Sequence, residues 1–387
     1  MSGIECRLHV APVALVALAG VLAFAALSDA EAAGPQQLKC GDMITVDTTL
    51  DHDLVDCPNN GLIIGADGVT LDLNHHAIES DGTPAAGCDP DTEFCDVGVL
   101  NDGHAGVTVA HGSVRRFDLG AIVGGAQGNR LIDVATVRSR FSGLLVYDSA
   151  RVVIRGSSVS RNGTHTDQAG MSLFNSRRIR IVQNSIRDSG DIGVYDEGLN
   201  RSRLIGNTFS GNPEAGALVN GNRNLVAHNR LRRNGDGVGV GGNGNVVRRN
   251  VVEHSTGLGL QVGAGKHNLL ARNKVRHVGG LGIDVASYGP VAGTIVRHNY
   301  VRGSGEDGLA VRPVRKTLRR THVLRNHVFH SGDDGIDVAS ASTALTGNEA
   351  SRNNDLGIET RRGVTDGGAN KARRNGDPRQ CTHIVCN

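Results

Sequence analysis

The chain has 387 residues, of which 54 are glycine and none is tryptophan, and only 3% are aromatic. That composition excludes a single large aromatic-rich core and asks for something repetitive in its place. The formal net charge of +2 gives no overall reason to invoke nucleic acid as a partner.

Arg7 is followed by an uncharged run from Val10 to Leu27 and then by Ala30-Glu31-Ala32-Ala33, the layout of a secretory signal peptide over residues 1–32. The run is slightly short for a membrane anchor, and no later stretch is apolar enough to span a bilayer. A secreted or periplasmic protein with no transmembrane segment in its mature chain is therefore expected. Cys6 leaves with the signal, and the remaining cysteines lie as neighbours in sequence: Cys40 and Cys57, Cys88 and Cys95, Cys381 and Cys386. In an exported chain such a set favours disulfides over metal thiolates. Local pairing is one of several connectivities open, and it would staple both termini and one loop.

From residue 98 a glycine followed by alternating apolar residues recurs at intervals of 21 to 27, at Gly98, Gly120, Gly143, Gly170, Gly193, Gly216, Gly237, Gly259, Gly282, Gly308, Gly335 and Gly357. Each Gly-x-x-Val unit reads as a short strand with two inward side chains. A second marker follows in each unit: Asn184, Asn207, Asn229, Asn250, Asn273, Asn299, Asn326 and Asn348. Asparagine tolerates left-handed backbone angles and can bond its own image one repeat away, so the column marks a tight stacking turn. Leucine-rich repeats share the period but need several leucines per unit, and the glycine content excludes helical repeats. The expected fold is all-β, a right-handed parallel β-helix of about twelve coils over residues 61–360. Residues 33–60 and 361–387 would form its N- and C-terminal caps, because an open coil exposes apolar interior and unpaired strand edge.

Two further stretches carry a family likeness. Cys40-Gly41-Asp42, Cys57-Pro58, Gly61-Leu62-Ile63-Ile64-Gly65 and Thr70-Leu71-Asp72-Leu73-Asn74, with Gly367-Gly368-Ala369-Asn370 and Asn375-Gly376-Asp377-Pro378 near the end, resemble the first coil and the closure of bacterial exported proteins of the pectate-lyase-like β-helix superfamily, NosD-type periplasmic proteins among them. Asn74-His75-His76 departs from the Asn-Gly-His those proteins tend to carry. The resemblance spans nearly the whole mature chain. It implies the fold but leaves the activity open among lyases, epimerases, hydrolases, accessory proteins and adhesins.

A β-helix stacks one residue of each coil above its counterpart, so function is sought in columns. Two residues before the marker glycines stand Asp96, Asp118, Asp191, Glu214, Glu306, Asp333 and Asp355, and two after them Tyr195, Gln261, Asp284, Asp337 and Glu359. The densest constellation is Asp284, Glu306, Asp307, Arg312, Asp333, Asp334 and Asp337, with Asp333 and Asp334 expected on a turn outside the core. Stacked carboxylates repel and call for interleaved arginine, full solvent screening or Ca²⁺, which as a cofactor would be held by Asp284, Glu306, Asp307, Asp333 and Asp334; an exposed turn in which Asp is simply a good turn residue is the alternative. Asp307, Arg312, Asp334 and Asp337 are the candidate catalytic groups for proton abstraction beside a neutralised uronate carboxylate. A column of His228, Arg249, Arg272, His298 and Arg325, with Tyr195 on the strand, is the candidate binding surface for an anionic polysaccharide. Paired Asp-Asp turns also suit a hydrolase, but the Gly-His-Gly and Arg-Ile-Lys motifs of polygalacturonases are missing. His254, His277 and His330 share a column and weakly suggest copper or zinc. Gly237-x-Gly239-x-x-Gly242 matches a dinucleotide fingerprint without the helix it needs. A protein that binds or acts on an anionic polysaccharide is the leading reading, with Ca²⁺-assisted lyase or C5-epimerase action as its catalytic form; a non-catalytic surface or accessory protein, NosD-type periplasmic proteins included, is the rival.

Overall fold

The computed structural model describes residues 37–84, 87–89, 94–163, 168–286, 289–313 and 318–387; the predicted signal peptide lies outside them. Among the described residues there is no helix, and every named strand pairing is parallel. The chain winds through three sheets per coil. One representative coil contributes Asp236–Val240 to the first sheet, Val246–Arg248 to the second and Val251–Glu253 to the third. Each strand pairs with its equivalent one coil on, Val238 with Leu260, Val247 with Leu270 and Val252 with Val275. Near the N-terminus the long strands Thr108–Arg115 and Arg130–Val137 bend through both the second and third sheets.

Strands this short cannot bury a face alone; stacking makes their inward residues into continuous columns. In the representative coil Val238, Val240, Val247 and Val252 are all buried. β-Branched residues suit this pleated, tightly spaced interior, and the marker glycines suit the corner where successive coils approach. A Cβ on Gly193 would stand 2.5 Å from the carbonyl oxygen of Gly216, well inside contact distance.

The first sheet has fourteen strands rather than about twelve. The added coils are N-terminal, where Met43–Ile44 pairs with Leu62–Ile64 and Thr48–Thr49 with Thr70–Asp72. Residues expected to form only a cap thus already form a coil, because Ile44, Leu50 and Leu54 continue the buried columns.

The asparagine column is a buried hydrogen-bond ladder. Asn207 donates from its backbone N–H and its Nδ2 to Oδ1 of Asn229, at 2.8 and 3.1 Å, and from Nδ2 to the Ile181 carbonyl at 2.9 Å. The same pattern repeats at Asn229, Asn250, Asn273, Asn299 and Asn326 and reaches Asn370. Every amide is satisfied, as burial requires. The left-handed residue is not the asparagine but the one before it: His228, Arg249, Arg272, His298 and Arg325 have φ between +51° and +58°. The asparagine must point inward to bond along the axis, which leaves its predecessor to make the turn.

The three disulfides join Cys40 to Cys57, Cys88 to Cys95 and Cys381 to Cys386, with Cα atoms 5.4, 5.6 and 6.3 Å apart. The last closes the C-terminal end: Thr382 N–H bonds to Ile358, and Asn387 N–H to Asn370, the final rung of the ladder.

Candidate functional site

The outer face of the first sheet carries two exterior columns, the residue just before each marker glycine and the residue two after it. In the N-terminal half these are apolar: Val97, Leu119, Ile122 and Leu145 pack together with Phe141, and Phe94 meets Phe141 edge-on at 5.0 Å. In the C-terminal half the same columns turn acidic. Gln261, Asp284, Ala310, Asp337 and Glu359 are successive partners in one register, and Asp236, Asp307 and Asp334 occupy the position before the glycine.

Asp307 and Asp334 are tied to the neighbouring coils along the axis. Asp307 Oδ1 accepts the Asp334 backbone N–H at 3.1 Å, and Asp334 Oδ1 accepts the Leu356 N–H at 2.8 Å. Both are buried, whereas Asp333 and Glu306 are exposed. Asp334 thus lies on a turn outside the apolar core, but its carboxylate is buried because it caps the N–H of the next coil. Burial pushes the Asp307 carboxyl up to about 6. It pushes Asp334 to about 8, with neighbouring Glu359 adding repulsion. Asp337 rises to about 6 through burial and the charges of Asp307 and Glu359. Asp284 rises too, chiefly by burial, although Gln261 Nε2 donates to its Oδ2 at 3.3 Å and Arg312 stands 4.0 Å from its Oδ1. That Oδ1 is buried without a hydrogen bond.

Of the five residues expected to hold a metal, three converge: carboxylate oxygens of Asp307, Asp333 and Asp334 all lie within 4.8 Å of one another. Hard oxygen donors at this spacing fit Ca²⁺. Asp284 sits on the preceding coil, opposite Ala310 and near Arg312, and exposed Glu306 is outside the trio.

The predicted binding column lies elsewhere. His228, Arg249, Arg272, His298 and Arg325 occupy the corner between the second and third strands of their coils, so they do not share the acidic groove. Tyr195 is on the first sheet, but it packs edge-on against Phe174 in the apolar half, with ring centroids 6.1 Å apart. His254 and His277 stack at 5.5 Å between ring centroids; His330 lies two coils further on. Asp96 and Asp118 are buried, because Ser80 and the Cys95 backbone N–H close over them.

Sequence reading missed Asp196. It falls in the inward valine column, between Leu173 and Val219, and is fully buried. Burial raises its carboxyl to about 7 while it accepts the Leu199 and Asn220 backbone N–H groups, both at 3.1 Å. The register slips just after it, between Glu197 and Asn200. A polar residue in the inward phase of a strand was the available signal.

The family described as "Right handed beta helix region" matches residues 96–236 and 169–319, and the chain belongs to that family. No curated protein matches the sequence. Among solved structures, a tailspike protein variant of E. coli bacteriophage HK620 in complex with a pentasaccharide is similar at TM-score 0.54 and 11% identity, over 89% of this chain and 73% of that one. The periplasmic alginate epimerase AlgG gives 0.45 and 12% over 79% and 77%. A mannuronic acid specific polysaccharide family 6 lyase from human gut microbiota gives 0.46 and 16% over 84% and 78%. At these identities the likeness is one of fold.

Proposed function

We propose that this is an exported polysaccharide-binding protein whose C-terminal acidic groove acts on a uronate polymer by proton abstraction at C5. The observation that carries the reading is the convergence of raised-pKa carboxyls with one arginine on an outer sheet face: buried Asp284, Asp307 and Asp334 and half-buried Asp337 beside Arg312. Three disulfides favour an oxidising compartment. The similar tailspike, solved with a pentasaccharide, supports a glycan as ligand on such a scaffold.

Half-exposed Arg312 is free to turn its guanidinium toward a sugar carboxylate, which bidentate pairing suits. Asp337, with a carboxyl near 6 and outside the carboxylate trio, is ionised at neutral pH yet basic enough to take a proton. Removal of the C5 proton by Asp337 leaves an electron pair at C5. If that pair forms the C4–C5 double bond and expels O4, which takes a proton from water, the outcome is elimination. If a proton returns to C5 from water on the opposite side, the outcome is epimerisation. Ca²⁺ held by Asp307, Asp333 and Asp334 in their ionised forms would supply neutralisation of the substrate carboxylate.

The test incubates the full mature chain with a panel of uronate polymers, with and without Ca²⁺. Ultraviolet absorbance follows unsaturated product and proton NMR follows C5 inversion. Activity that requires Ca²⁺ and disappears in Asp307→Asn with Asp334→Asn supports the reading. A wild-type protein that binds but converts no polymer leaves the non-catalytic surface protein as the function.

A further inference from the structure

The arginines of this chain are segregated. On the third sheet they are paired: Glu253 takes Arg230 at 3.0 Å and Arg276 at 3.5 Å, and Glu349 takes Arg373 and His327. On the second sheet they are not. A shallow groove of about 610 Å³ runs over its outer face, and seven of the fourteen residues lining it are arginines while none is acidic. Arg201, Arg223, Arg248, Arg249, Arg272 and Arg297 are all exposed, and among the described residues no ion pair involves any of them. The floor between them is aliphatic, formed by Leu225, Val246 and Leu269, whose strands are in register. A second groove of about 570 Å³ lies on the same face nearer the N-terminus, with Arg130, Arg155 and Arg180 at its edge and again no acidic lining residue. The positive field is felt by a neighbour: the His298 imidazole is held below its ordinary value by burial and by Arg325, Arg272 and Arg297.

We infer that the outer face of the second sheet is a docking track for a linear anionic glycan, separate from the acidic groove on the first sheet. Like charges repeated along the axis at the strand spacing of ~4.8 Å repel one another unless a polyanion or bulk salt screens them. Guanidinium groups present forked donors suited to carboxylate and sulfate alike. The grooves contain no aromatic side chain, and single-stranded nucleic acid is normally held by stacking its bases on aromatic rings. An aliphatic floor flanked by arginines instead suits a chain with apolar ring faces and charged edges. The inference does not rest on the proposed reaction, and the two fail separately.

The test measures binding of a labelled heparin oligosaccharide and a labelled oligouronate to the full mature chain by fluorescence anisotropy at rising salt. Single-stranded DNA of equal charge and phosphatidylglycerol vesicles are the comparison arms. Replacing Arg223, Arg248, Arg272 and Arg297 by glutamine should weaken glycan binding about 100-fold at low salt and flatten its salt dependence, while Arg230→Gln with Arg373→Gln, on the third sheet, leaves that binding unchanged. The pairs Arg223→Gln with Arg248→Gln and Arg272→Gln with Arg297→Gln should each weaken it about 10-fold, and they decide the matter if the four-fold variant does not fold. Folded arginine variants that keep wild-type glycan affinity overturn the inference. So does DNA or vesicle binding at least as tight as glycan binding, or an equal loss of glycan binding in the third-sheet arginine variant.

Discussion

The two halves of the first sheet share one interior and have opposite exteriors. Val123, Val146, Val262, Val285 and Val311 stand in the same inward column, so the buried scaffold is indifferent to which half it serves. Outside, Leu100, Ile122 and Leu145 give way to Asp284, Asp337 and Glu359. The first half gains stability from its outer face; the second stores repulsion there. In a solenoid each coil contacts only its neighbours, so a change of exterior chemistry need not be compensated far away.

Four expected outcomes sharpen or break that contrast. The largest comes from carrying the acidic pattern into the apolar half: Leu145→Asp should cost roughly 4 kcal/mol by urea unfolding, because it buries an unpaired carboxylate and removes packing. A cost below about 1 kcal/mol would mean the outer apolar cluster is not a packed layer. Phe141→Ala should cost about 3 kcal/mol, with the same value in acid and at neutral pH, since it removes packing against Phe94, Ile122 and Leu145 and the contact with the Arg140 guanidinium over its ring, and arginine stays charged throughout that range.

The acidic half should answer to pH instead. Asp307, Asp334 and Asp337 have folded carboxyls raised above the ordinary value of 3.8 to about 6, 8 and 6. The folded state thus holds more protons than the unfolded one between those limits. Stability from these groups is fully present below about pH 4 and is lost as pH rises through 6 and then 8. Asp334→Asn should therefore stabilise the protein by on the order of 2 kcal/mol at about pH 8 and leave it unchanged at about pH 4. Equal effects at both values would show that Asp334 does not titrate in this window. The smallest expected effect is the addition of millimolar Ca²⁺, which should raise the melting temperature by a few degrees at about pH 8 and by nothing at about pH 4, where protons occupy the site. A rise in both, or in neither, would detach the carboxylate trio from the metal.

Much of this was legible in advance because repetition amplifies weak signals. One Gly-x-x-Val means little, but eight among twelve marker glycines at a steady period announce stacked strands, and the asparagine column announces a stacking turn. The turn residue was misplaced by one, since whether Asn250 or Arg249 takes the left-handed angle depends on which must point inward to bond the coil above. The first coil was hidden because Gly41, the counterpart of Gly61, is followed by Asp42 and only a two-residue strand, Met43–Ile44, and only its pairing with Ile63 and Ile64 reveals it.

The candidate site divides in the same way. Sequence alone determined that acidic residues gather near residues 284–337 and that cationic ones line a corner, because both are periodic along the chain. Only the tertiary structure decided that Asp307 and Asp334 are buried while Glu306 and Asp333 are exposed, that Asp284 lies near Arg312, and that Arg223, Arg248 and Arg297 share a face. Burial and facing depend on the half-turn by which each strand enters the coil, a quantity set by hydrogen bonds to the neighbouring coil rather than by the local order of residues.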